Sequence, residues 1–106
     1  MTVEIPQTGI VFVKFGATWC GPCKVIEKAV EDMKEDIKNR SGHPLETLQY
    51  VMIDIDQEEE TAKSYDIRAV PTMMLFKDGK NIATKLGAMT KTTLSKWIQE
   101  TIESHQ

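Results

Sequence analysis

The chain has 106 residues, 41% of them hydrophobic and 27% charged, with a formal net charge of −3. That length suits a single compact domain over residues 1–106 that buries roughly 65% of its unfolded surface, and the mild acidity offers no basic footprint for nucleic acid. Its apolar runs are far too short to span a bilayer, and Met1-Thr2-Val3-Glu4-Ile5-Pro6 lacks the pattern of a leader, so a cytoplasmic, monomeric protein with no membrane partner is expected.

Ile10 to Phe15 is a β-branched and aromatic run broken only by Lys14, the pattern of a strand buried on both faces. Beyond Cys20-Gly21-Pro22-Cys23, the residues Cys23, Ile26, Val30, Met33 and Ile37 recur at steps of three and four. They predict an amphipathic helix of about four turns with Cys23 on its core stripe. Ser41, Gly42 and Pro44 end it in a loop that extends through Thr47. Tyr50, Val51, Met52, Ile53 and Ile55 predict a second buried strand, and Asp56-Gln57-Glu58-Glu59 has the form of a capping box that opens a short helix to about Tyr65. Two apolar runs, Thr72 to Phe76 and Ile82 to Leu86, flank Asp78-Gly79, a signal for a two-residue hairpin turn. Thr90 suits the N-cap of a last helix whose stripe is Leu94, Trp97, Ile98 and Ile102. The expected order is β-α-β-α-β-β-α, an α/β fold whose first two strands are parallel and whose hairpin adds antiparallel strands at one side.

Both cysteines of the chain, Cys20 and Cys23, belong to one local motif. A thiolate, not a thiol, attacks a disulfide, and at an unperturbed pKa near 8.5 only about 3% of a cysteine is ionised at pH 7. Cys20 lies between a strand end and a helix start, where unpaired backbone N–H groups and the helix dipole favour the anion. Gly21 is expected to permit the tight turn, and Pro22 suits a first helical turn, where its missing donor has no partner anyway. About 2 kcal/mol of preference for the thiolate lowers the pKa to about 7. Cys23, one turn further in, is then placed to attack a mixed disulfide on Cys20, which makes Cys20 the nucleophile and Cys23 the resolving thiol. A Cys-x-x-Cys pair is also half of many zinc sites, but two further ligands are needed and only His43 and His105 are on offer as histidines, so no metal is expected.

Ala17-Thr18-Trp19-Cys20-Gly21-Pro22-Cys23-Lys24, Asp54-Ile55-Asp56-Gln57 and Tyr65-Asp66-Ile67-Arg68-Ala69-Val70-Pro71-Thr72 closely resemble the thioredoxin family, as do Leu75-Phe76-Lys77-Asp78-Gly79-Lys80 and Lys85-Leu86-Gly87-Ala88. The resemblance covers most of the chain after Val11. It implies a thioredoxin-like fold with a four-stranded mixed sheet flanked by helices, and a redox-active Cys20–Cys23 disulfide with no other cofactor. Implied partners are disulfide-containing proteins and a flavoprotein thioredoxin reductase. It further implies a cis Val70–Pro71 bond lying against the cysteines, with Val70 backbone groups pairing with an extended substrate segment, and a docking surface of Trp19, Gly21, Pro22, Gly87 and Ala88.

The chain departs from that family at several positions. Thioredoxins usually carry a buried aspartate six residues before the first cysteine, where this chain has Lys14. An ammonium there would favour both thiolates and raise the reduction potential, unless it reaches solvent or is neutralised by burial. Met52 stands where relatives often have a lysine, and Glu27, one helical turn beyond Cys23, is a replacement base if it is not simply a solvated surface residue. Lys28 replaces a proline that commonly kinks the helix, so a straighter helix is expected. Only nine residues precede the first clear strand, which leaves a four-stranded sheet, with Val3 to Ile5 as a brief edge strand at most.

The leading expectation is a general protein disulfide reductase. A more oxidising oxidant or isomerase is the second reading, favoured by the missing carboxylate, and a non-catalytic binding subunit of a larger enzyme is the third.

Overall fold

β1 (Ile10–Gly16) is buried from Val11 to Gly16, as its nearly unbroken apolar run predicts. The protein is described by a computed structural model, which places residues 4–106. In it β1 is followed by α1 (Gly21–Lys38), β2 (Gln49–Asp54), α2 (Glu59–Ser64), β3 (Thr72–Lys77), β4 (Lys80–Leu86) and α3 (Lys91–Ser104), in the expected order. The sheet order is β2-β1-β3-β4. β1 and β2 are parallel, while β3 is antiparallel to β1 and to β4.

Alternation along β1 sorts its side chains between two cores. Val11, Val13 and Phe15 pack with Ile53, Met74 and Phe76, against which Tyr65 and Ile67 close from the α2 side. Phe12 goes the other way, into a cluster with Ile26, Met33, Leu75, Leu94 and Ile98, the stripes of α1 and α3. Lys14 shares the parity of Phe12, so it too is directed at the α1 side.

Two local signals hold closely. Asp78 and Gly79 form the hairpin turn with φ of 50° and 84°, the left-handed pair that matches the twist of flanking strands. The Thr90 side chain accepts from the Thr93 amide at the start of α3.

Three expectations change. β2 is not a buried strand: it is an edge, with Met52 43% exposed, because nothing pairs beyond it among the described residues. β4 is the other edge, so Leu86 at the end of its apolar run is exposed as well. The capping box does not form. Glu58 caps α2 without a side-chain bond, while Asp54 Oδ1, at the end of β2, accepts the amides of Asp56 and Gln57 at 2.8 and 3.3 Å and holds the turn from two residues before Asp56. α1 runs 18 residues, longer than about four turns, although it passes through Lys28 without interruption, as expected where no proline stands. Lys28 lies on the surface, where its bond to Asp32 raises its pKa above the ordinary lysine value.

The segment after α1 is a chain of turns, as expected of a loop, yet Leu45 and Leu48 insert into the α1–α3 core. Of the suggested edge strand, Val3 lies outside the described residues, and Glu4 and Ile5 are not in a strand. Ile5 is nevertheless buried against Val11, Val13 and Phe76.

Candidate active site

Parallel pairing brings the last residues of β1 and β2 together, Gly16 opposite Asp54, so the turns that follow both strands share one end of the sheet. Cys20 is the N-cap of α1: its backbone is extended, with φ −92° and ψ 111°, and its sulfur accepts the Cys23 amide at 3.1 Å. Its own amide donates to Ala17 O at 3.2 Å and closes the turn. Pro22 sits in the first helical turn, where no donor is required. Cys20 and Cys23 form a disulfide across 5.3 Å between Cα atoms, and Cys23 is wholly buried.

Gly21 plays a different part from the one its position suggests. Its φ is not positive, and an added Cβ would meet nothing within 4 Å, so the turn has no steric need for glycine. Cys20 supplies the extended cap and Gly21 already belongs to the helix.

Ala17, Cys20 and Cys23 form a small buried cluster against which Ile55 and Val70 pack. The Val70–Pro71 bond is cis, and Pro71 is fully buried. Pro71 O accepts the Gly87 amide at 3.0 Å, which ties the residue after β4 to the proline. Gly87 has φ 87° and open space around it, a conformation that favours glycine. Val70, Pro71 and Gly87 are thus brought to the cysteine end of the sheet. Ala88 follows Gly87 and is exposed.

Trp19 is 68% exposed beside the disulfide, with its indole N–H donating to Asp56 Oδ2 at 2.8 Å. In sequence Asp56 fits a local capping box, and the contact with Trp19 becomes visible in the structure. Its signal was the parallel arrangement itself, since polar groups just past β2 must lie beside the turn just past β1.

Below the disulfide lies Lys14, 5% exposed, with its ammonium 2.7 Å from Glu27 Oε1. Gly16 makes room for it: a Cβ at Gly16 would stand 3.0 Å from Lys14 Nζ and 3.4 Å from Cys23 Sγ. The ammonium and the sulfur are therefore no farther apart than those two distances added. Across the sheet Lys14 stands opposite Met52 on β2 and Met73 on β3, neither of which carries charge. Glu27 is half-exposed, so it is neither a free surface residue nor a buried one. His43 is buried away from this end, and its Nδ1 accepts the Leu45 amide at 3.0 Å.

A disulfide at the start of a helix, next in sequence to an exposed tryptophan and packed against the residue that precedes a cis-proline, suits exchange with another disulfide. The thioredoxin family model matches residues 2–100. A thioredoxin of Pseudomonas aeruginosa is 36% identical over 89% of this chain and 81% of its own length. One of Bacillus subtilis is 34% identical over 92% and 83%. Among solved structures, the thioredoxin of Fasciola hepatica superposes with a TM-score of 0.73 at 33% identity, covering 89% of this chain and 83% of its own. A chain from a study of thiol resolution in yeast mitochondrial 1-Cys peroxiredoxin via glutathione/thioredoxin systems gives the same score at 30% identity, covering 89% and 80%. With the family matched along most of its length and the cysteines joined at the start of α1, the chain belongs to the thioredoxin family and is a thiol–disulfide oxidoreductase.

Proposed function

We propose that the chain reduces protein disulfides, with Cys20 as the attacking sulfur and Cys23 as the resolving one. The observation that carries this reading is the position of Cys20 Sγ as the cap of α1, where it accepts a backbone amide in the field of the helix N-terminus. In the dithiol state the Cys20 thiolate attacks one substrate sulfur, the substrate S–S bond breaks, and one substrate thiolate leaves. The Cys23 thiolate then attacks Cys20 Sγ, the mixed disulfide breaks, and the second substrate thiolate leaves and takes up a proton. Two electrons pass to the substrate and the Cys20–Cys23 disulfide remains.

Docking is assigned to the exposed rim: Trp19, Gly21 and Pro22 on one side, Val70, Gly87 and Ala88 on the other, with Pro71 as its support. An extended segment pairs with Val70 backbone groups at the end of the sheet, where the Gly87 bond to Pro71 leaves glycine, with no side chain, beside the path. Electrons return from a flavoprotein thioredoxin reductase, and the chain acts as a monomer in a reducing, cytoplasmic compartment, with no metal and no cofactor beyond the disulfide.

Reductase-coupled turnover of a model protein disulfide tests the reading. Wild type turns over, Cys20→Ser does not, and Cys23→Ser accumulates the mixed disulfide. Absence of turnover in wild type overturns it. Binding that persists when both cysteines are serine assigns the chain to a binding role instead.

A further inference from the structure

Cys23 is wholly buried, and burial alone disfavours its thiolate. The resolving step nevertheless needs that thiolate. Lys14 reaches the same buried place from β1, with Gly16 between them leaving no side chain to keep ammonium and sulfur apart. An ammonium has three N–H donors, and the Glu27 contact uses one. Glu27, half-exposed on α1, joins the buried cation to solvent along a cleft of about 210 Å³ lined by Lys14, Gly16, Thr18, Glu27, Met52 and Asp54.

We propose that the Lys14–Glu27 pair sets the redox balance of the disulfide: Lys14 is the counter-ion of the Cys23 thiolate, and Glu27 holds that cation in place while moderating its charge. The inference rests on the exchange chemistry proposed above and adds a charge-setting residue to it. In the disulfide state there is no thiolate and the ammonium is shared with Glu27 alone. On reduction by incoming thiols, which leave as a disulfide, two electrons break the Cys20–Cys23 bond, and the proton Cys23 gives up on ionising beside Lys14 passes to solvent. The reduced state is thereby stabilised, which makes the protein more oxidising than a chain without the cation. Other charged groups at this end come from each neighbouring element. Lys24 of α1 is exposed. Asp54 of β2 lines the cleft, with its Oδ1 already accepting two amides. Asp56 is bonded to Trp19. From β3, Met73 faces Lys14 in the register and adds no charge.

The test is the equilibrium of the purified protein with a glutathione buffer at pH about 9, where a thiol of ordinary pKa near 8.5 is largely ionised. Lys14→Met makes the protein more reducing by about threefold in that equilibrium constant, which is about 14 mV for a two-electron couple. The difference narrows toward pH 7 as the thiolate it depends on is protonated. Glu27→Gln shifts the constant the other way, by about threefold, because the cation is no longer moderated. The second readout is the ionisation of Cys23, followed by thiolate absorbance in a Cys20→Ser background. It moves to higher pH in Lys14→Met and to lower pH in Glu27→Gln, which a merely structural lysine would not produce. A Lys14→Met constant equal to that of wild type overturns the proposal, as does a Glu27→Gln shift that is absent or in the same direction as that of Lys14→Met. If Lys14→Met fails to fold, Glu27→Gln, at a half-exposed position, decides alone. Equilibration with glutathione needs neither a reductase nor a protein substrate, so a failure of turnover counts against the proposed function and leaves this measurement standing.

Discussion

Trp19 and Lys14 mark two regions of one site that the cysteines separate. The rim around Trp19 is exposed and built from turns, whose contacts are a hydrogen bond to Asp56 and one from Gly87 to Pro71. The floor around Lys14 is buried and built from strand β1 and helix α1, with an ion pair and a glycine in place of apolar packing. Water screens charge at the rim, so side chains there act through shape and apolar contact. At the floor, low polarizability lets one charge act strongly on a nearby sulfur. If the rim docks substrate and the floor sets electron affinity, as proposed, changes at one region leave the other's readout alone.

The largest separation is expected for Trp19→Ala. Removing an exposed aromatic anchor raises KM for a protein disulfide by about tenfold, in keeping with the place of tryptophan among interface hot spots. The glutathione equilibrium constant stays at its wild-type value. A shift in that constant would break the division between rim and floor. Asp56→Ala acts on the same rim indirectly: it frees the indole, and losing an exposed hydrogen bond of about 0.5–1 kcal/mol raises KM by about threefold without altering the constant. Steady-state kinetics beside a glutathione titration checks both variants. The smallest effect is expected at the floor. In Gly16→Ala the new methyl group crowds the end of the Lys14 side chain at 3.0 Å, and that flexible end moves away from Cys23. Stability changes by no more than about 1 kcal/mol in a urea titration, since a glycine-to-alanine change in a strand also reduces unfolded-state entropy. The protein becomes more reducing by about twofold, with KM unchanged.

Legibility in the sequence followed the range of the interaction. The α1 stripe, the Asp78-Gly79 turn and the Thr90 cap are local patterns, and each is present as read. The Cys20-Gly21-Pro22-Cys23 turn was legible for the same reason, although Gly21 proved to be an open surface position and not a steric requirement. Burial of β2 was misread because a run of Tyr50, Val51, Met52 and Ile53 looks the same at an edge as at the centre of a sheet. Asp56 was misread because its partner Trp19 is 37 residues away in sequence and a local capping pattern competed for it. Leu45 and Leu48 carried no periodicity, and only their contacts with α1 and α3 reveal them as core.

Lys14 shows where the boundary falls. By itself the sequence determined that a cation stands six residues before Cys20 on a strand whose neighbours are apolar, because composition and alternation are properties of a single segment. Which way that cation turns, and whether anything meets it, depended on α1 crossing the sheet so that Glu27 comes within 2.7 Å. The small side-chain volume at Gly16 likewise matters only because Lys14 and Cys23 arrive there from different elements. Electrostatic partnership is set by distance in space, and that distance exists only once strand and helix have packed.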